Sequence, residues 1–217
     1  MESVDFGNMR RAMVDSQLRT SGVTAAWVIA AMGGVARENF APDTLKTTAY
    51  MDRALPLGGG RALNPPLATG LMLEAAEVGS DDKVLLIGAG TGYVARLLAE
   101  RAASVVAVEE SADLIAVARG NLAGRKNVKL VEGPLAQGAA SSGPYSVIII
   151  DGAVGELPDS IVAQAAEDAI IVTGIIDGAV TRLASGHARG GRVALRPFAD
   201  SEIAALPGFA RTKEFVF

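Results

Sequence analysis

Hydrophobic positions change their spacing once along this chain, near residue 80. Beyond that point short, almost unbroken apolar runs recur at 83–88, 104–109, 127–132, 145–150, 168–176, 191–198 and 212–217, each of strand length. Segments between them, at 91–101, 111–123, 157–166 and 178–185, place their apolar residues at helical intervals. Runs that are apolar on both faces belong to strands covered on both sides. Their alternation with helices therefore predicts an α/β, Rossmann-like fold: a mostly parallel seven-stranded sheet, helices on both faces, right-handed crossovers. The last segments lack a clear helix between them, so an antiparallel edge hairpin is also expected.

Before residue 80 the pattern is helical at 8–19, 24–33 and 65–77, around a Gly- and Pro-rich stretch from Pro42 to Pro66. Thr24 suits the N-cap of the second helix, and Pro65 and Pro66 suit the first turn of the third, where a missing N–H costs little. We divide the chain accordingly: residues 1–80 form a helical extension that caps the open end of the sheet, and residues 81–217 form the ligand-binding domain, the whole being one compact unit.

The first of the buried runs ends in Gly88-Ala89-Gly90-Thr91-Gly92, after which Tyr93 opens a helix. Glycines at alternate positions free the turn of Cβ atoms, so the backbone can take positive φ and a ligand can lie directly against it. The next run ends in Glu109, 19 positions after Gly90, with Glu110 beside it. A carboxylate there can accept two hydrogen bonds from a ribose diol. Dinucleotide folds place a third glycine where this chain has Tyr93. The spacing favours a nucleoside without a pyrophosphate, namely S-adenosylmethionine, whose methionine part would run along Gly88 to Gly92. Gly133 and Asp151 fall at the carboxyl ends of later strands, on the side where such sheets bind ligands.

Composition narrows the chemistry. At 217 residues and 50% hydrophobic, the chain buries a sizeable core. It has no cysteine, which excludes thiol nucleophiles and thiolate metal sites, and its net charge of −4 argues against a broad nucleic-acid footprint. The acidic start does not read as a signal peptide, and no run reaches membrane-span length. We therefore expect a soluble cytoplasmic protein, monomeric or homodimeric, with neither nucleic-acid nor membrane partners.

Scattered residues outside the glycine turn carry a resemblance. Met13-Val14, Gln17-Leu18, Gly22-Val23, Ala31-Met32, Arg37-Glu38 with Phe40, Ala49-Tyr50, Asp52, and Leu55-Pro56-Leu57-Gly58 with Gly60 follow the order and near-spacing of the protein-L-isoaspartate O-methyltransferase family. The chain resembles that family over roughly residues 9 to 150. The resemblance implies a methyltransferase that uses S-adenosylmethionine, leaves S-adenosylhomocysteine, and esterifies a carboxylate of isoaspartyl-damaged protein. It also places Gly88, Ala89, Gly90, Gly92, Tyr93, Glu109, Glu110, Gly133 and Asp151 around the cofactor, with Asn64 and Asp151 on the catalytic, acceptor side.

The chain departs from the family pattern at several of these places. Ala62-Leu63-Asn64-Pro65-Pro66 stands where the family has Thr-Ile-Ser-x-Pro. Pro134 takes the place of an adenine-binding Asp, for which Gln137 or backbone groups could substitute. Leu86 replaces a Glu, and Asp151-Gly152-Ala153 replaces Thr-Ala-Ala. Asn64 is either a donor to the acceptor or simply the cap of the helix that follows. Asp151 and Asp177, at two strand ends, resemble part of the divalent-cation site of catechol-type methyltransferases. That site's asparagine is Gly178 here, and we assign no metal. A small-molecule acceptor on the same scaffold, and a non-catalytic binder of the nucleoside, are the alternative readings. Of the remaining residues, His187 reads as a solvated loop residue, Trp27 as a packing anchor, and Arg37 as either a structural pair or a substrate contact. Tyr50 and Asp52 are expected in the loop covering the site.

Overall fold

The computed structural model describes residues 4–210. Its elements in chain order are α1 (Phe6–Met13), α2 (Ala26–Gly34), β1 (Leu55–Gly58), β2 (Arg61–Leu63), α3 (Pro66–Ala75), β3 (Lys83–Ile87), α4 (Tyr93–Leu98), β4 (Ser104–Glu109), α5 (Ala112–Asn121), β5 (Val128–Glu132), β6 (Tyr145–Val154), α6 (Asp159–Val162), β7 (Ala165–Asp177), β8 (Val180–Arg189), β9 (Arg192–Val193) and β10 (Arg196–Asp200). β1 and β2 form a separate antiparallel hairpin. The main sheet runs β10-β8-β7-β6-β3-β4-β5, with the short β9 paired to β8. β5, β4, β3, β6 and β7 are parallel, whereas β8 is antiparallel to both β7 and β10. The run expected at 212–217 lies outside the described residues.

The side-chain alternation of the central strands divides the core in two. Val84 and Leu86 of β3, Val105 and Ala107 of β4 and Val147 and Ile149 of β6 face one way. They pack with Met13, Leu18, Val28, Met32 and Leu73 of the extension and with Val94, Leu97 and Leu98 of α4. Leu85, Ile87, Val106, Val108, Ile148 and Ile150 face the other way and meet Leu135, Ile161, Leu206 and Phe209. One apolar mass thus joins the N-terminal helices to the sheet.

Two expected helices are not found as such. The segment 178–185 is strand: Gly178, at φ +63°, turns the chain back on itself, and residues 180–187 pair with 177–170 of β7. A long neighbouring strand offers that segment a complete ladder, which outweighs an ambiguous local spacing. An antiparallel hairpin of β7 and β8 thus stands where a helix was expected, and the hairpin expected between 191–198 and 212–217 involves a run outside the described residues. Of 157–166 only Asp159–Val162 is helical. There Gln164 bonds the carbonyls of Ser160 and Gln137 and the amide of Ala139, and β7 begins one residue later. The expected first helix at 8–19 is present but changes pitch: α1 passes into a wider π-helical stretch at Val14–Leu18 and a tighter 3₁₀ turn at Arg19–Ser21, ended by Gly22 at φ +94°.

Thr24 does not cap α2. The carboxylate of Glu74, reaching over from α3, instead accepts from Thr24 N, Thr24 Oγ1 and Ala25 N at 3.0, 2.8 and 2.8 Å. Pro66 opens α3 as expected, and Asp52 supplies the acceptor for that helix's Leu67 N–H at 3.0 Å. Asp52 is thus tied to a helix end.

Residues 203–209 lie along the far end of β6. Ala153 N donates to Ala204 O at 2.8 Å, Leu206 N to Ala153 O at 2.9 Å, and Gly155 N to Phe209 O at 2.9 Å. Gly152 and Gly174 make the room. A Cβ on Gly152 would stand 2.5 Å from Leu206 Cγ and 2.9 Å from Ala204 O.

Candidate functional site

The glycine turn sits at the tip of β3, at the point where strand order reverses between β4 and β6. Such a switch point opens a crevice at the carboxyl edge of the sheet. Gly88, Gly90 and Gly92 have φ of +85°, +54° and +94°, conformations that a side chain would strain. Gly88 N and Ala89 N both donate to Val108 O, which binds the turn to the end of β4.

Glu109 closes that edge. Its carboxylate is fully buried. One oxygen accepts from Glu110 N and Ser111 N at 3.0 and 3.1 Å, the other from Gly90 N at 2.8 Å and Arg61 Nη2 at 3.0 Å. Turn and strand end are thus locked by a charge-assisted network. The side chain of Glu110 itself points outward. Gly133 follows β5, bonded through its N–H to Glu109 O, with open space where its side chain would be.

Arg61 carries no mark in the sequence beyond being the one charged residue between Leu55 and Pro66, yet the β1–β2 hairpin lays it directly over the turn. A Cβ on Gly88 would stand 3.1 Å from Arg61 Nη2 and 3.4 Å from Leu206 Cδ1, and one on Gly90 would stand 3.4 Å from Leu57 Cδ1. Neither Arg61 nor Leu206 is recognisable from local pattern.

Asn64 and Asp151 come together across 87 positions. Asn64 Nδ2 donates to Asp151 Oδ1 at 2.8 Å and to Asp151 O at 3.2 Å, while Asn64 Oδ1 accepts from Ala204 N at 3.1 Å. Asn64 therefore does not cap α3; its amide is spent on the tip of β6 and on the C-terminal segment. Burial pushes the Asp151 carboxyl above its ordinary value, against the opposing pull of the Asn64 hydrogen bond and of the Arg61 and Arg37 charges. The carbonyl of Asp151 lies 3.5 Å from the position a Cβ would take on Gly88, so this pair borders the glycine turn.

Other candidates have structural employment. Tyr93 is buried, its ring edge-on to Phe40 at 5.3 Å and under the Arg37 guanidinium at 4.8 Å. Arg37 is fully buried and donates to the carbonyls of Ala49 and Asn64. It thereby holds Asn64 from behind. Tyr50 is bonded to Glu38 and accepts from Arg10 Nε at 2.7 Å, a buried cluster that ties α1 to the loop. His187 is exposed but stands in β8, not in a loop, with Nδ1 3.1 Å from Asp168 O. Trp27 is half-buried against the first core.

Asp177 is not level with Asp151. β6 and β7 register Ala153 with Gly174, so Asp177 lies three residues further along, where Arg182 Nη1 pairs with it at 2.8 Å. The two carboxylates do not form a shared cation cage, and among the described residues no group of three acidic or histidine side chains could hold a metal.

Strand order, the Cβ-free turn and the buried acid at the end of β4 define a Rossmann-like methyltransferase, the class whose members bind S-adenosylmethionine. Among known proteins, residues 8–193 match the family described as protein-L-isoaspartate(D-aspartate) O-methyltransferase, and the chain belongs to that family. It is 40% identical over 166 residues to the protein-L-isoaspartate O-methyltransferase of Methanoculleus marisnigri, covering 76% of each chain. It is 38% identical over 164 residues to that of Koribacter versatilis, covering 75% of this chain and 74% of the relative. A solved Plasmodium falciparum structure titled a putative protein-L-isoaspartate O-methyltransferase in complex with S-adenosyl-L-homocysteine shares the fold at TM-score 0.76, with 17% identity over 94% of this chain and 99% of that one. No helix among the described residues is long and apolar enough to cross a membrane.

Proposed function

We propose that this protein transfers the methyl group of S-adenosylmethionine to a carboxylate of isoaspartyl residues in damaged polypeptides. The observation that carries the reading is the buried Asn64–Asp151 pair at the tip of β6, set directly beside the glycine turn. Gly88 to Gly92 would hold the methionine side of the cofactor, Glu109 its sugar, and the open space at Gly133 its base. The residues fit: a buried acid, positive-φ glycines and unpartnered donors on Arg61 meet at one edge.

Bound there, the sulfonium supplies an already activated methyl group. The chain must then align an acceptor oxygen with it and keep water away. An acceptor carboxylate is ionised at neutral pH, so no general base is called for. Burial raises the Asp151 carboxyl above its ordinary value, which lessens its opposition to an incoming anion. Arg37 and Arg61 add positive charge on the same side. The net charge of −4 argues against a broad nucleic-acid footprint.

The test is methyl-ester formation on an isoaspartyl peptide and on its normal aspartyl twin, each with Mg²⁺ and with chelator. Ester on the isoaspartyl peptide alone, at the same rate in both buffers, is expected. Binding of S-adenosylhomocysteine without any transfer to that peptide would overturn the acceptor.

A further inference from the structure

Arg61 is used incompletely. Its side chain is 4% exposed, and its Nη2 donates to Glu109, but Nε and Nη1 are buried with no hydrogen-bond partner. Those two nitrogens carry three N–H donors. Buried donors are nearly always paired, so three together at a crevice edge mark a place that an acceptor fills.

Glu109 is used completely. A carboxylate has about four lone-pair sites, and here four donors occupy them. A ribose diol needs acceptor sites on the same oxygens. Three of the four donors are backbone N–H groups of fixed turns, which leaves the Arg61 guanidinium as the replaceable one. The turn before it leaves room for a shift: Arg61 directly follows Gly58, Gly59 and Gly60, exposed and at φ of +91°, +56° and +75° with nothing packed against them.

Resting on the nucleoside reading above, we propose that Arg61 is the anchor for the cofactor's α-carboxylate. As the sugar hydroxyls take Glu109, the guanidinium releases it and its free N–H groups pair with the carboxylate of the amino-acid end, beside Gly88. In the structure the same side chain neutralises Glu109. One arginine therefore serves two carboxylates in turn, and the ligand recognised is a nucleoside thioether or sulfonium that carries an anionic tail.

The test is a binding cycle by calorimetry with two ligands: S-adenosylhomocysteine, and 5′-methylthioadenosine, which keeps the nucleoside and sulfur but lacks the amino-acid end. Wild type, Arg61→Gln and Arg61→Ala are compared, with melting curves to establish folding, and either folded variant suffices. The wild-type preference for S-adenosylhomocysteine should fall at least tenfold in the variant, while 5′-methylthioadenosine binds as well as before or better. A purely structural role would weaken both ligands by one factor and leave their ratio unchanged, which overturns the proposal while the nucleoside reading stands. Binding of neither ligand by the wild type overturns both.

Discussion

Replacing Glu109 by glutamine keeps the shape of the side chain and removes only its charge and one acceptor, yet the structure makes this a severe change. Each carboxylate oxygen receives two donors: Glu110 N and Ser111 N on one, Gly90 N and Arg61 Nη2 on the other. Whichever way the amide is turned, its NH₂ faces two donors in a fully buried position. The Arg61 guanidinium is simultaneously left without its counter-charge. Breaking one side of a buried ion pair costs about 3–5 kcal/mol. Against a total stability of about 5–15 kcal/mol, that is a large fraction. For a domain of this size each kcal/mol moves the melting temperature by about 2–4 °C, so Glu109→Gln should lower it by about 6–20 °C. Urea titration followed by circular dichroism measures the loss directly. Adding Arg61→Gln should return part of it, because the orphaned charge goes with the arginine. A Glu109→Gln protein within about 1 kcal/mol of wild type would show that the network contributes little, and the reasoning fails.

Three further outcomes are expected. The raised Asp151 pKa means that the folded chain holds this proton more tightly than the unfolded chain, so stability is lost as pH climbs from the ordinary value of 3.8 toward the folded one. Asp151→Asn removes that loss, and its melting temperature should gain on wild type as pH rises through this window; a constant gap across the window refutes the assignment. Gly152→Ala should cost about 1–3 kcal/mol because its Cβ meets Leu206 and the Ala204 carbonyl. The added cost should shrink in a Leu206→Ala background, and strict additivity in denaturant midpoints would count against the contact. Glu74→Ala should cost about 1–2 kcal/mol through the start of α2, read as a lowered urea midpoint.

The parallel half of the sheet was legible because its strands are apolar on both faces and end in glycine or acid. β3, β4 and β5 fall within a residue of their expected bounds. The position of Glu109 was legible for the same reason, since the residue closing that strand falls at the carboxyl edge of the sheet, beside the glycine turn. The 178–185 stretch was not, because Thr181, Leu183 and Ala184 fit either spacing and only the neighbouring β7 decides between them. Asn64 was recognised as polar and near the site, but its actual partners stand 87 and 140 positions away. Arg61 escaped altogether. Its role depends on how a glycine-tipped hairpin folds over a distant turn, and no local pattern records that.

Asn64 holds the tip of β6 with its amide nitrogen and residue 204 with its amide oxygen. During synthesis this junction cannot close until residue 204 has emerged, after the helices of the extension and the central strands are available to collapse. The sheet and the extension can therefore pack before the chain beyond β10 seals the tip of β6 through Asn64.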